Sequence, residues 1–163
     1  MAQKEATVFI IDQGVTMADC ASGRVESNLD FGMRYIWDQI TGILAASRKT
    51  LNVGVVGLRT PETSGPLAED EGYENISVLQ ELTPITMQHL RNLQAKIQPS
   101  DVEDGDAISS IVVAMEMIVR FCKHLKYAKK IVLMTDAMAP IDGDQVEYIY
   151  KKINDEGIEL VIM

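Results

Sequence analysis

The sequence predicts an α/β fold, doubly wound, with a mainly parallel sheet, helices on both faces and one antiparallel edge strand. Three observations point there. Short β-branched runs alternate along the chain with segments whose apolar residues recur at helical spacing. One run, Val53 to Leu58, is nearly continuously apolar, as a strand covered on both faces must be. Strand–helix–strand order closes through right-handed crossovers, which place helices on both sides of the sheet.

The first strand is Thr7 to Ile11, ending at Asp12 and followed by the turn Gln13-Gly14-Val15-Thr16. Leu29, Met33, Ile36, Trp37, Ile40, Ile43 and Leu44 then form an amphipathic helix, with Ser27 or Asn28 as its N-cap. Val53 to Leu58 is expected beside strand one. Thr60 to Glu74, rich in Gly, Pro and acidic residues, reads as a long surface loop. Ile76 to Leu82 alternates apolar with polar residues, which predicts the antiparallel edge strand. Pro84 suits the first turn of a helix carrying Leu90, Leu93 and Ile97, and Pro99 ends that helix.

Asp104-Gly105-Asp106 opens the next helix, whose inward stripe is Ile108, Ile111, Val112, Met115, Ile118, Val119 and Cys122. Ile131 to Met134 is a strand ending at Thr135-Asp136. Asp142 is placed to cap a helix with Val146, Ile149, Tyr150 and Ile153 inward; Gly157 stops it, and Ile158 to Met163 is the last strand. That strand has no polar cap after it, so the 163 residues are expected to be a single domain of a longer chain.

Composition narrows the function. With 47% apolar residues the chain builds one core. No apolar stretch approaches the roughly 18–20 residues that span a bilayer, so no membrane partner is expected. The two cysteines, Cys20 and Cys122, lie far apart and form no metal-binding pair, which predicts free thiols. A net charge of −9 repels phosphate, so this segment should bind DNA poorly on its own. No G-x-x-x-x-G-K-[ST] or G-x-G-x-x-G follows any strand, which argues against a nucleotide-driven motor and a dinucleotide enzyme. His89 and His124 have no positioned nucleophile or carboxylate at a recognised spacing.

In an open parallel sheet, ligands bind at the carboxyl ends of the strands. Here those ends carry Asp12, Gly14, Thr16, Asp106 and Asp136, whose oxygens are either a hard-cation site or turn and capping groups. Asp12-Gln13-Gly14-Val15-Thr16 and Met134-Thr135-Asp136 resemble the von Willebrand factor A signature, in which Asp-x-Ser-x-Ser, a separate Thr and a late Asp hold a divalent ion. Two departures count against a metal. Gly14 stands at the first Ser, leaving space that water could fill, and Asp106 lies where the Thr-bearing loop would be. The resemblance therefore implies a degenerate rim of Asp12, Thr16, Asp106 and Asp136, with no metal or other cofactor; a metal-dependent adhesion module is the rival reading.

Further stretches are similar to the large subunit of the Ku family: Gly65-Pro66-Leu67-Ala68-Glu69-Asp70-Glu71-Gly72-Tyr73-Glu74-Asn75-Ile76, Lys96-Ile97-Gln98-Pro99, and Asp12 to Met17. Their order and spacing agree across almost the whole chain, although Ser109 and Ser110 replace an expected acidic–apolar pair. This resemblance implies a non-enzymatic interaction domain of a nuclear, chromosome- and telomere-associated heterodimer. Its expected partners are the Ku small subunit and Ku-binding peptides of non-homologous end-joining factors. Double-stranded DNA ends would be held by other parts of the chain. The family has also been described as an ATP-dependent helicase subunit, which these residues do not support. The implied peptide-docking residues are Leu67 and Tyr73 on the acidic loop, Glu69 and Asp70 beside them, Val112 on the long helix and Val132 on the strand behind it.

Overall fold

A computed structural model describes residues 4–144 and 146–163. Strand β1 (Glu5–Asp12) leads through a short 3-10 turn (Val15–Ala18) to helix α1 (Asn28–Ala46) and strand β2 (Leu51–Leu58). Strand β3 (Ile76–Pro84) and helices α2 (Met87–Lys96) and α3 (Ala107–Cys122) follow, then β4 (Ala128–Met134), α4 (Val146–Glu156) and β5 (Ile158–Ile162). The sheet order is β3-β2-β1-β4-β5. β1 pairs in parallel with β2 and β4, β4 pairs in parallel with β5, and β3 is the antiparallel edge strand the alternation predicted.

Side-chain parity divides the core into two layers, because successive residues of a strand face opposite sides. Ala6, Val8, Ile10, Ile131 and Leu133 pack under α3 and α4. Phe9, Ile11, Val132 and Met134 pack under α1 and α2. Every residue of β2 is buried, which explains its continuous apolar run. On α1, Gly32 lets the helix close onto the sheet: a Cβ there would lie 2.6 Å from the Met134 sulfur.

Three helices start on the side-chain caps their sequences supply. Ser27 accepts from the Asp30 N–H, Thr86 from His89, and Asp106 from Ile108 and Ser109. Each such cap contributes about 1 kcal/mol. The reading of Pro84 as helical is corrected: it is the last residue of β3, opposite Asn52, and Thr86 starts α2 instead. Asp142 likewise lies ahead of α4, where its carboxylate accepts the Asp144 N–H. On α4 only Ile149 is buried, Ile153 is half-buried, and Val146 and Tyr150 are exposed. The buried surface of α3 is broader than one stripe and includes Ala107, Ser110, Val113, Ala114 and Met117, while Ile108, Val112 and Val119 are half-buried.

Because β1, β2 and β4 run in parallel, their carboxyl ends meet at one rim. Crossovers leave that rim toward opposite faces of the sheet, the geometry that opens a crevice in this class of fold.

Candidate functional site

At the rim, Asp12 ends β1 and is wholly buried. Arg59 follows β2 directly. Its left-handed backbone, φ 56°, turns the chain sharply enough to send the long side chain back across the strand ends. The guanidinium is 1% exposed and grips Asp12 with two prongs, Nε to Oδ1 at 2.7 Å and Nη2 to Oδ2 at 2.8 Å. Nη2 also donates to the Thr16 hydroxyl at 3.0 Å and to Asp136 Oδ1 at 3.1 Å. Asp12 is further held by the Gly14 N–H at 3.0 Å and the Thr135 hydroxyl at 2.6 Å. Ser100 donates to the Arg59 carbonyl at 2.6 Å, tying in the loop ahead of α3.

Two glycines clear the path of this side chain. A Cβ at residue 14 would overlap the Nε and Cζ of Arg59, and one at residue 105 would approach its Cγ to 2.9 Å. Burial works against the charge on Arg59, but hydrogen bonds and Coulombic attraction from Asp12, with Asp136 behind them, outweigh it, so its pKa is raised.

The structure thus brings together Asp12, Thr16 and Asp136, and it adds Thr135 and Arg59. The space expected for water at Gly14 is filled by the Arg59 side chain. Asp106 lies apart: its carboxylate caps α3, accepts the Ser109 hydroxyl at 2.8 Å and receives the Asp142 N–H at 3.1 Å. A divalent ion does not fit this donor set as it stands, because it would have to take the ground of the guanidinium nitrogens. Among the described residues, no three His, Cys, Asp or Glu side chains converge as metal ligands.

The residues of the expected docking surface separate into two groups. Leu67 and Tyr73 on the loop and Val112 on α3 are half-buried, each packed against the core layer that α3 covers. Glu69, Asp70 and Glu71 are exposed beside them. A pocket of about 230 Å³ runs along Tyr73 and is bordered by Glu71, Glu74, Asp104, Asp106 and Asp142. Burial, then the charge of Asp70, raises the Tyr73 pKa. Val132 belongs elsewhere. It is 1% exposed and packs under α1 and α2, on the opposite face of the sheet, so it has no part in that surface.

The loop is laced to its surroundings. Ser64 donates to the Ile76 carbonyl and accepts the Val78 N–H, both at 3.0 Å, which covers part of the β3 edge. Asn75 reaches the Asp104 carbonyl at 3.0 Å, fixing the end of the loop beside the N-terminus of α3. Cys20 is exposed and Cys122 buried, both as free thiols. No helix among the described residues is long and apolar enough to cross a membrane.

Residues 6–163 match the family profile described as the Ku70/Ku80 N-terminal alpha/beta domain. Among curated proteins, the chain is 59% identical over 165 residues to a Neurospora crassa protein named ATP-dependent DNA helicase II subunit 2. That match covers 100% of this chain and 23% of the relative. Proteins of the same name from Chaetomium globosum and Schizosaccharomyces pombe are 53% and 39% identical, covering 100% and 87% of this chain and 22% and 20% of their own lengths. The chain therefore spans about a fifth of the length of these relatives. Among solved structures, the crystal structure of the SpRpn10 VWA domain superposes with a TM-score of 0.63 at 15% identity, covering 98% of this chain and 74% of that one. At that identity the likeness speaks for the fold alone.

Proposed function

This chain belongs to the Ku70/Ku80 N-terminal alpha/beta domain family, and from that premise we propose that it is a peptide-docking domain of a DNA-end-binding heterodimer. It serves the recruitment of non-homologous end-joining factors, in the nucleus and at chromosome ends. The observation that carries this reading is that Leu67 and Tyr73 on the acidic loop and Val112 on α3 are half-buried against the same core layer, with Glu69, Asp70 and Glu71 exposed between the two loop residues. An apolar anchor seated between Leu67 and Tyr73 would supply affinity, and a negative rim would favour a peptide with basic residues. DNA contact is assigned to the rest of the parent chain and to the Ku small subunit, since a net charge of −9 opposes phosphate binding here.

The name of the curated relatives credits those proteins with ATP-dependent helicase activity. No strand of this sequence leads into a G-x-x-x-x-G-K-[ST] loop, the backbone cradle that holds a triphosphate in P-loop motors. We assign the domain no catalytic step. Hydrogen exchange on the heterodimer tests the docking reading. A basic Ku-binding peptide should slow exchange in residues 60–75 and in the first two turns of α3, and leave the β1–β4 rim unchanged. Protection at the rim instead, with none in the loop, would remove the proposed site.

A further inference from the structure

We propose that Arg59 is a resident cation that takes the place of the divalent ion at this rim, so the rim is locked by the chain itself and is insensitive to divalent metal. Four polar groups that would suit a hard cation converge there: the carboxylates of Asp12 and Asp136 and the hydroxyls of Thr16 and Thr135. Three of them, Asp12, Asp136 and Thr16, accept from the Arg59 guanidinium, and Thr135 donates to the carboxylate oxygen of Asp12 that Arg59 Nη2 also contacts.

Gly14 and Arg59 act as a matched pair. The missing side chain at residue 14 is what admits the Arg59 Nε and Cζ, and the arginine in turn fills the volume that a residue-14 Cβ would take. Arg59 also spans segments that are distant in sequence, joining the end of β1, the 3-10 turn and the loop after β4 through one side chain. The functional consequence is a restriction on partners. A rim with its cation built in has no open coordination position, so it cannot capture a partner's acidic side chain through a bridging metal. Recognition is left to surfaces such as the Leu67 and Tyr73 loop, although the lock at the rim stands whether or not that loop binds peptides.

Manganese titration of the intact subunit, read by the EPR signal of free Mn2+ and by calorimetry, tests this. Wild type and Asp136→Asn should bind the same number of Mn2+ ions and melt alike with 5 mM Mg2+ or EDTA. The double variant Arg59→Ala/Gly14→Ser should gain one Mn2+ site, and the triple variant that adds Asp136→Asn should lose it again. Circular dichroism on each variant separates a lost site from a lost fold. If the double variant misfolds, Arg59→Ala alone should gain a weaker site. A wild-type Mn2+ ion that disappears in Asp136→Asn would overturn the proposal. So would folded Arg59 variants that gain no ion, since Arg59 and Asp12 would then be an ordinary buried ion pair.

Discussion

Arg59 and Asp12 stand at the ends of adjacent parallel strands and bind each other through two hydrogen bonds, with the guanidinium 1% exposed and the carboxylate wholly buried. A pair of this kind is costly to break from one side, because the remaining charge is left buried without a counter-ion. Arg59→Met should cost about 3–5 kcal/mol. At roughly 2–4 °C per kcal/mol for a domain of this size, the melting temperature should fall by roughly 6–20 °C. A fall under ~2 °C in differential scanning calorimetry would mean that solvent reaches the pair.

Gly14→Ala places a methyl group on the Arg59 side chain and should destabilise the fold by about 1–3 kcal/mol through overpacking. In an Arg59→Ala background the same change should be nearly neutral. A double-mutant cycle by urea unfolding measures the coupling. Additive costs would show that residue 14 and Arg59 do not compete for the same space.

How much of this was legible in the sequence differs by element. Strands β1, β2 and β4 announced themselves as β-branched runs, and the edge position of β3 followed from the alternation of Ile76 to Leu82. The gathering of Asp12, Thr16 and Asp136 followed from parallel strand ends. Arg59 was missed because its role depends on a left-handed backbone that no residue type there announces. Two cues were nonetheless present, a charged residue directly after the apolar run Val53 to Leu58 and a glycine at the position of an expected serine. Val132 was misplaced for a simpler reason. Its neighbours Ile131 and Leu133 face α3, so parity alone turns Val132 to the other face. Knowing which face α3 covers requires the crossover topology, which spacing does not reveal.

Val132→Ala should accordingly behave as a core truncation, costing roughly 1–3 kcal/mol in chemical denaturation and leaving peptide affinity unchanged at a temperature where the variant is folded. Selective loss of peptide binding without loss of stability would return Val132 to the docking surface.

The two thiols should differ sharply. Cys20 is exposed and should react with a disulfide reagent in the native state, whereas Cys122 should react only on unfolding. Burial raises the Cys122 pKa, so the folded state holds that proton more tightly than the unfolded chain, whose thiol titrates near 9.0. The contribution is therefore complete below that value and is lost as pH rises above it. Stability measured between pH 8 and 10.5 should fall less steeply in Cys122→Ala than in wild type, and equal slopes would count against a buried thiol.

The most direct test of the proposed docking function is calorimetric titration of the proposed heterodimer with a basic Ku-binding peptide, comparing wild type with Leu67→Arg. Leu67 is half-buried on an acidic loop, so the substitution should spoil the apolar anchor and offset the negative rim while the melting temperature stays within a few degrees. Binding by wild type and at least a tenfold weaker affinity in the variant is the predicted result. Equal affinity in both, with intact folding, would contradict peptide docking at this loop.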